Sequence, residues 1–131
     1  MGIFTADNTG ASGYNSRLDA IQAAVLSAKL PHLAAWSAKR RDNAGFYDSA
    51  FAELPEVRTP VIDPLNESIY NQYTIRVPRR DELQAHLKSR GIGSAVYYPL
   101  PLHLQPCFAY LGYKEGSCPE AERASAEVLS L

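Results

Sequence analysis

Ile69-Tyr70-Asn71-Gln72-Tyr73-Thr74-Ile75-Arg76-Val77 sets one row of side chains, Ile69, Asn71, Tyr73, Ile75 and Val77, against a second, Tyr70, Gln72, Thr74 and Arg76. Both rows are rich in aromatic and β-branched types, the signature of a strand. Pro78 ends it, and Arg80 to Arg90 follows with Leu83 and Leu87 one helical turn apart. Gly91 supplies the residue that most easily takes a left-handed helix stop. Ile92 to Tyr98 then reads as a second strand, closed by Pro99 and Pro101. The unit is strand, helix, strand, and it predicts an α+β fold.

Upstream, Pro55, Pro60 and Pro64 punctuate a connector with one short extended piece expected around Val61. Before the connector, Leu33 to about Phe51 reads as a long helix, with Leu33, Trp36, Tyr47, Phe51 and Leu54 on one side and Lys39, Arg40, Arg41 and Asp42 solvated. Leu18, Ile21, Val25 and Ala28 recur at helical spacing ahead of it, thickened by Ala23, Ala24, Leu26 and Leu30. So apolar a helix is expected to be buried, with Pro31 marking a break or new start. Downstream, Ser117-Cys118-Pro119-Glu120 combines a hydroxyl cap, a first-turn proline and a carboxylate at the positive helix end. A final helix with Ala121, Ala124 and Val128 on one face is expected there, and the apolar run Val128-Leu129-Ser130-Leu131 suggests that further polypeptide covers it.

The chain has 131 residues, 46% of them hydrophobic and 21% charged, the profile of one ordinary globular domain. Its 13 basic and 14 acidic side chains leave a net charge of -1, too little field to draw it to nucleic-acid phosphates or an anionic membrane. No apolar run approaches the roughly 18 residues of a membrane span, and Met1 to Gly10 lacks a signal-peptide pattern, so the chain reads as cytosolic. Cys107 and Cys118 read as free thiols; a metal site with His103 lacks a fourth ligand and the close spacing of structural zinc pairs.

Gly13-Tyr14-Asn15-Ser16-Arg17 lies where a loop meets the first helix, and helix-start amides, a carboxamide and a guanidinium can together hold a phosphate. The same residues also make a plain cap by Asn15 or Ser16 with Arg17 solvated, the simpler role on local chemistry. Tyr97-Tyr98-Pro99-Leu100-Pro101-Leu102-His103 joins stiffening prolines to flat amphipathic rings, suited either to stacking on a sugar or nucleobase or to a structural turn. His32 and His86 read as surface residues, and Arg76, Arg79 and Arg80 as a solvated strand end. Glycine-rich phosphate loops, nucleophile elbows and paired-histidine metal motifs are all absent. Lys29, Lys39, Lys88 and Lys114 stand among polar neighbours, unlike the desolvated amine of a Schiff-base enzyme.

Several of these blocks occur together in one known family. Gly13-Tyr14-Asn15-Ser16-Arg17-Leu18-Asp19, Ile21 to Leu26, Lys29-Leu30, Trp36 with Arg40-Arg41, Ala44 and Tyr47, Arg80-Asp81-Glu82-Leu83 with Gly91-Ile92, Tyr97 to His103, and Pro119-Glu120-Ala121-Glu122 leading to Leu131 resemble, in order and separation, the C-terminal portion of the DegT/DnrJ/EryC1/StrS aminotransferases. The resemblance implies a fold-type I transferase that uses pyridoxal 5'-phosphate to aminate keto-sugars carried on nucleotides, with glutamate the expected amino donor. It implies a homodimer in which Asn15 reaches the cofactor phosphate of the partner, and it reverses the simpler reading of that residue. Arg17, and more weakly Tyr97, Tyr98 and His103, are implied to meet the nucleotide-sugar substrate.

Under this reading residues 1–12 are loop, 13–54 are a helical segment joining large and small domains, and 55–131 are a small α+β domain incomplete at its end. The family's Schiff-base lysine, its acidic partner of the pyridine nitrogen and its ring-stacking aromatic belong to a large domain absent here. Asn71 stands where many relatives have histidine. A partial chain without turnover of its own is therefore expected. The alternatives are a noncatalytic partner that keeps the dimer-forming helices, or a nucleotide-sugar-binding protein.

Overall fold

The computed structural model describes residues 19–131. Helix α1 (Ala20–Lys29) is capped by Asp19, whose Oδ1 accepts from the Gln22 amide at 2.9 Å, so the cap lies beyond Asn15 and Ser16. A single 3-10 turn, Leu30–His32, carries Pro31 at a position where its missing N–H costs nothing, and the chain passes directly into α2 (Leu33–Phe51). None of the α1 side chains is buried, and Ile21 is 79% exposed. The expectation of a buried first helix is corrected. Its apolar side, continued by Leu26, Leu30, Leu33 and Trp36, finds no cover within the described residues.

Only the second half of α2 meets the core. Ala44 is buried, with Tyr47 and Phe51 one and two turns further on packed against the same cluster, whereas Leu33, Trp36 and Leu54 stand exposed. Arg40 and Arg41 are not simply solvated: the Arg40 guanidinium donates to the Asn71 carbonyl at 3.0 Å, and Arg41 pairs with Glu67 at 2.9 Å. These contacts tie the proline-rich connector back onto the helix.

The expected first strand shortens to β1 (Thr74–Arg76), but the alternation holds from Tyr73 onward, with Tyr73, Ile75 and Val77 all buried. Helix α3 (Arg80–Ser89) follows and stops at Gly91, whose φ of +74° is the left-handed conformation anticipated for it. Helix α4 (Pro119–Glu127) ends one residue earlier than its apolar face suggests, because Val128 turns to extended backbone and starts β2 (Val128–Ser130).

β2 lies antiparallel to β1, with Thr74 opposite Ser130, Ile75 opposite Leu129 and Arg76 opposite Val128. Single bridges extend this sheet on both sides, Arg58 to Arg76 and Ala95 to Ser130. Two expectations change accordingly. The segment Ile92 to Tyr98 contributes one bridge at Ala95 and no strand, and the extended contact of the connector falls at Arg58, leaving Val61 exposed. Within the terminal apolar run this chain itself buries Leu129, 0% exposed, and Ser130, while Val128 and Leu131 are half-buried.

The arginine cluster is also reassigned. Arg80 is only 8% exposed and donates through Nη1 to the Val128 carbonyl at 3.0 Å, while Arg76 donates through Nε and Nη2 to Glu127 Oε2. Of the three, Arg79 alone is exposed. The other two hold α4 and β2 onto β1 and α3, because a guanidinium presents several fixed donors to carbonyl and carboxylate oxygens at once.

Candidate functional site

The loop from Val96 to Leu102 is short, carries Pro99 and Pro101, and is fastened at both ends to one continuous piece of chain. At its start Ala95 exchanges backbone hydrogen bonds with Ser130, at 3.0 and 2.8 Å. At its end a 3-10 turn, Leu102–Leu104, sets the His103 ring against α4, with Nε2 2.9 Å from Glu122 Oε1. Ser130 and Glu122 are both on the α4–β2 segment. Between the two fastenings Tyr97 and Tyr98 are 47% and 60% exposed, their rings edge to face at a centroid separation of 6.0 Å. The loop thus offers two aromatic faces to solvent on a backbone stiffened by proline, an arrangement able to stack on a planar base or a sugar.

Glu122 gathers more than His103. Its carboxylate also accepts from the Gly116 amide, at 3.0 and 2.9 Å through its two oxygens, and from the Cys118 amide at 3.1 Å. Cys118 caps α4 without a side-chain hydrogen bond, so Glu122, reaching back from the first turn and a half, serves the helix start in its place. This corrects the expectation that Ser117 supplies the cap: its hydroxyl instead accepts from the Lys114 amide at 3.0 Å. Glu120, the carboxylate expected to face the helix end, pairs with Arg123.

The Gly116 amide is the main influence holding the Glu122 carboxyl below its ordinary value of 4.5; partial burial opposes this, and His103 and the Cys118 amide add to it. A carboxylate only accepts, so with Glu122 ionised His103 Nε2 is the donor. Tyr113 stands edge-on to the His103 ring at 6.3 Å and completes its surroundings.

A depressed carboxyl value adds stability that is present above the unfolded value of 4.5 and is lost as pH falls through the lower folded value. Amide NMR shifts of Gly116 and Cys118 are therefore expected to stay constant from neutral pH down to about 4.5 and to move below it. A midpoint above that value would mean that the carboxylate does not hold these amides.

The structure brings His103 together with Glu122 and Tyr113, and leaves the tyrosines of the same loop in solvent. Asn15 and Arg17 lie outside the described residues. Neither Glu122 nor Tyr113 is visible as a partner of His103 by local spacing, since Glu122 is 19 positions away; the one hint was the Pro119-Glu120-Ala121-Glu122 block. Cys107 and Cys118 are free thiols, and no metal-ligating cluster occurs among the described residues. No helix of the described residues is long and apolar enough to cross a membrane.

The described residues also do not fit pyridoxal phosphate by themselves. All four lysines, Lys29, Lys39, Lys88 and Lys114, are exposed, whereas a Schiff-base amine needs desolvation or a cationic neighbour to lower its pKa. A groove of about 500 Å³ also opens where α1 meets α2, lined by Leu26, Leu30, Leu33 and Trp36. It is apolar and carries no catalytic chemistry.

Known proteins resemble this chain in sequence and backbone. The sequence profile of the DegT/DnrJ/EryC1/StrS aminotransferase family matches residues 3–131. The chain is 57% identical over 123 residues to the pleiotropic regulatory protein of Geobacillus stearothermophilus, covering 91% of this chain and 32% of that one. It is 45% identical over 119 residues to the dTDP-3-amino-3,4,6-trideoxy-alpha-D-glucose transaminase of Streptomyces venezuelae, covering 91% of this chain and 31% of the transaminase. Among solved structures, that of S. venezuelae DesV in complex with a ketimine intermediate superposes with a TM-score of 0.86 at 45% identity, over 92% of this chain and 33% of that one. A DegT DnrJ EryC1 StrS aminotransferase from Brucella abortus gives 0.77 at 37% identity, over 94% of this chain and 34% of that one. The chain thus spans about a third of the length of the relatives it matches. With a profile that matches residues 3–131 and a superposition on a solved member over 92% of its length, the chain belongs to the DegT/DnrJ/EryC1/StrS aminotransferase family.

Proposed function

We propose that this chain supplies the C-terminal third of a cytosolic pyridoxal-phosphate enzyme that transfers an amino group, with glutamate as donor, to the keto group of a nucleotide-linked sugar. The observation that carries this reading is the superposition on DesV at a TM-score of 0.86 with 45% identity. The cofactor, when bound to the intact enzyme, supplies the electron sink for amino transfer. The part assigned to this chain is recognition. Asn15 contacts the cofactor phosphate of the other subunit in a homodimer, Arg17 meets the negatively charged nucleotide, and the Tyr97–His103 loop lies along the sugar nucleotide.

A second reading has its own support. The apolar surface running from α1 into the start of α2, with Leu26, Leu30 and Trp36 exposed among the described residues, suits a protein whose role is to dock on a family subunit without catalysis. One experiment separates the two. The chain is mixed with an upstream polypeptide holding the lysine-bearing large domain of a relative, and dTDP-3-amino-3,4,6-trideoxy-α-D-glucose is offered with 2-oxoglutarate as amino acceptor. Glutamate and the keto-sugar are expected from the mixture and from neither part alone. Asn15→Ala is expected to weaken cofactor binding about tenfold, the loss of one hydrogen bond to a charged group. A mixture that associates but forms no glutamate favours the noncatalytic partner; turnover and cofactor affinity unaffected by Asn15→Ala remove the phosphate role of that residue.

A further inference from the structure

We infer that Glu122 is a positioning residue for the Tyr97–Tyr98 platform, acting through His103. The inference rests on the proposed recognition role of that loop. The loop is fastened at Ala95 to Ser130 and at His103 to Glu122, and both anchors belong to the single α4–β2 segment. Two fixed ends on one element leave a seven-residue stretch with two prolines few conformations to sample, so its aromatic faces are presented ready for a ligand rather than ordered by it.

Of the two anchors, the first is backbone alone, while the second depends on one carboxylate. The His103 side chain is 9% exposed and is faced by Glu122 from α4 and by Tyr113 from the stretch that leads into α4. Glu122 holds the Gly116 and Cys118 amides with the same oxygens, so the turn before α4, the helix start and the His103 ring form one hydrogen-bonded unit. Removing the carboxylate leaves the buried ring and two amides to find other partners together, and frees the C-terminal end of the loop.

The full chain, isotope-labelled, is compared with Glu122→Ala and Glu122→Gln. In the unsubstituted chain His103 Nε2 is expected to show the nitrogen shift of a protonated ring nitrogen at neutral pH, and Gly116 and Cys118 amides to be protected from exchange. Glu122→Ala is expected to lose both signals and to shift the Tyr97 and Tyr98 ring resonances, with Ile75 and Leu129 methyls unmoved as reporters of the core. Glu122→Gln keeps one acceptor oxygen and is expected to restore the tyrosine positions.

In the complemented enzyme, Glu122→Ala is expected to raise KM for the dTDP-amino-sugar about tenfold with kcat nearly unchanged, as for lost uniform binding. Tyrosine resonances that stay in place after Glu122→Ala, while the Gly116 and Cys118 protection is gone, overturn the inference. So does a core that shifts equally in both variants, which makes Glu122 a general stabiliser. If the unsubstituted mixture does not turn over, the functional reading fails, and the tyrosine resonances still decide the role of Glu122.

Discussion

Leu129→Ala is expected to lower the unfolding free energy by about 3 kcal/mol, measured as a fall in the urea midpoint followed by circular dichroism. Leu129 is fully buried, faces Ile75 across the β1–β2 register, and lies on the strand that links β1 to the Ala95 bridge. Truncation there removes apolar contacts on every side and leaves a hole that neighbouring backbone, held by ladder hydrogen bonds, cannot close. The buried core is small, consisting of Ala44, Tyr73, Ile75, Val77 and Leu129 among the described residues, so this loss is a large share of what a domain of this size has to spare. Val61→Ala, at a site 94% exposed, is the control and is expected to change stability by less than about 0.5 kcal/mol. A Leu129 variant as stable as that control would mean that β2 does not belong to the core.

Tyr73 gives the second large effect, and it depends on pH. Its ring is buried between the sheet and α2, stacked on Tyr47 at 5.1 Å, and its hydroxyl donates to Asp48 Oδ1 at 2.5 Å. Burial, followed by the hydrogen bond to the Asp48 carboxylate and its charge, raises the phenol well above its ordinary value of 10.0. A folded value raised above the unfolded one contributes stability that is fully present below pH 10.0 and is lost as pH rises beyond it.

Tyr73→Phe is expected to cost about 2 kcal/mol at neutral pH, the worth of a hydrogen bond to a charged group with the carboxylate left short of a partner. The difference in urea midpoint between the two chains is expected to be constant up to about pH 10 and to shrink above it. Equal alkaline slopes for both would show that the Tyr73 hydroxyl is not held by Asp48.

Much of this domain was legible in local pattern. The turn-by-turn spacing of Leu83 and Leu87, the glycine at position 91 and the long run from Leu33 give α3 and α2 correctly, because helix signals repeat within four residues. The alternation around Ile75 marked the strand for the same reason, at a period of two. The family was legible too, since it rests on the order of short blocks. The tyrosine loop was picked out as chemically apt, but its anchoring was not. His103 read as a candidate ligand contact from the aromatic and proline chemistry of its loop and from the family resemblance; the carboxylate that holds its ring sits in α4, 19 residues on.

By itself, then, the sequence determined where helices and the one clear strand form, the glycine stop at position 91, and membership of an aminotransferase family. The tertiary structure alone decided which apolar stretches are covered. Leu129, near the end of a short apolar run, is fully buried between β1 and the Ala95 bridge, while the greasier α1 stands uncovered among the described residues. It also decided that Arg80 is a buried clamp and that Glu122 holds His103. Apolar content is a property of a segment, but burial is a property of pairs. The pairs that matter here join positions as far apart as Thr74 and Ser130, 56 residues distant, a separation that no local period can encode.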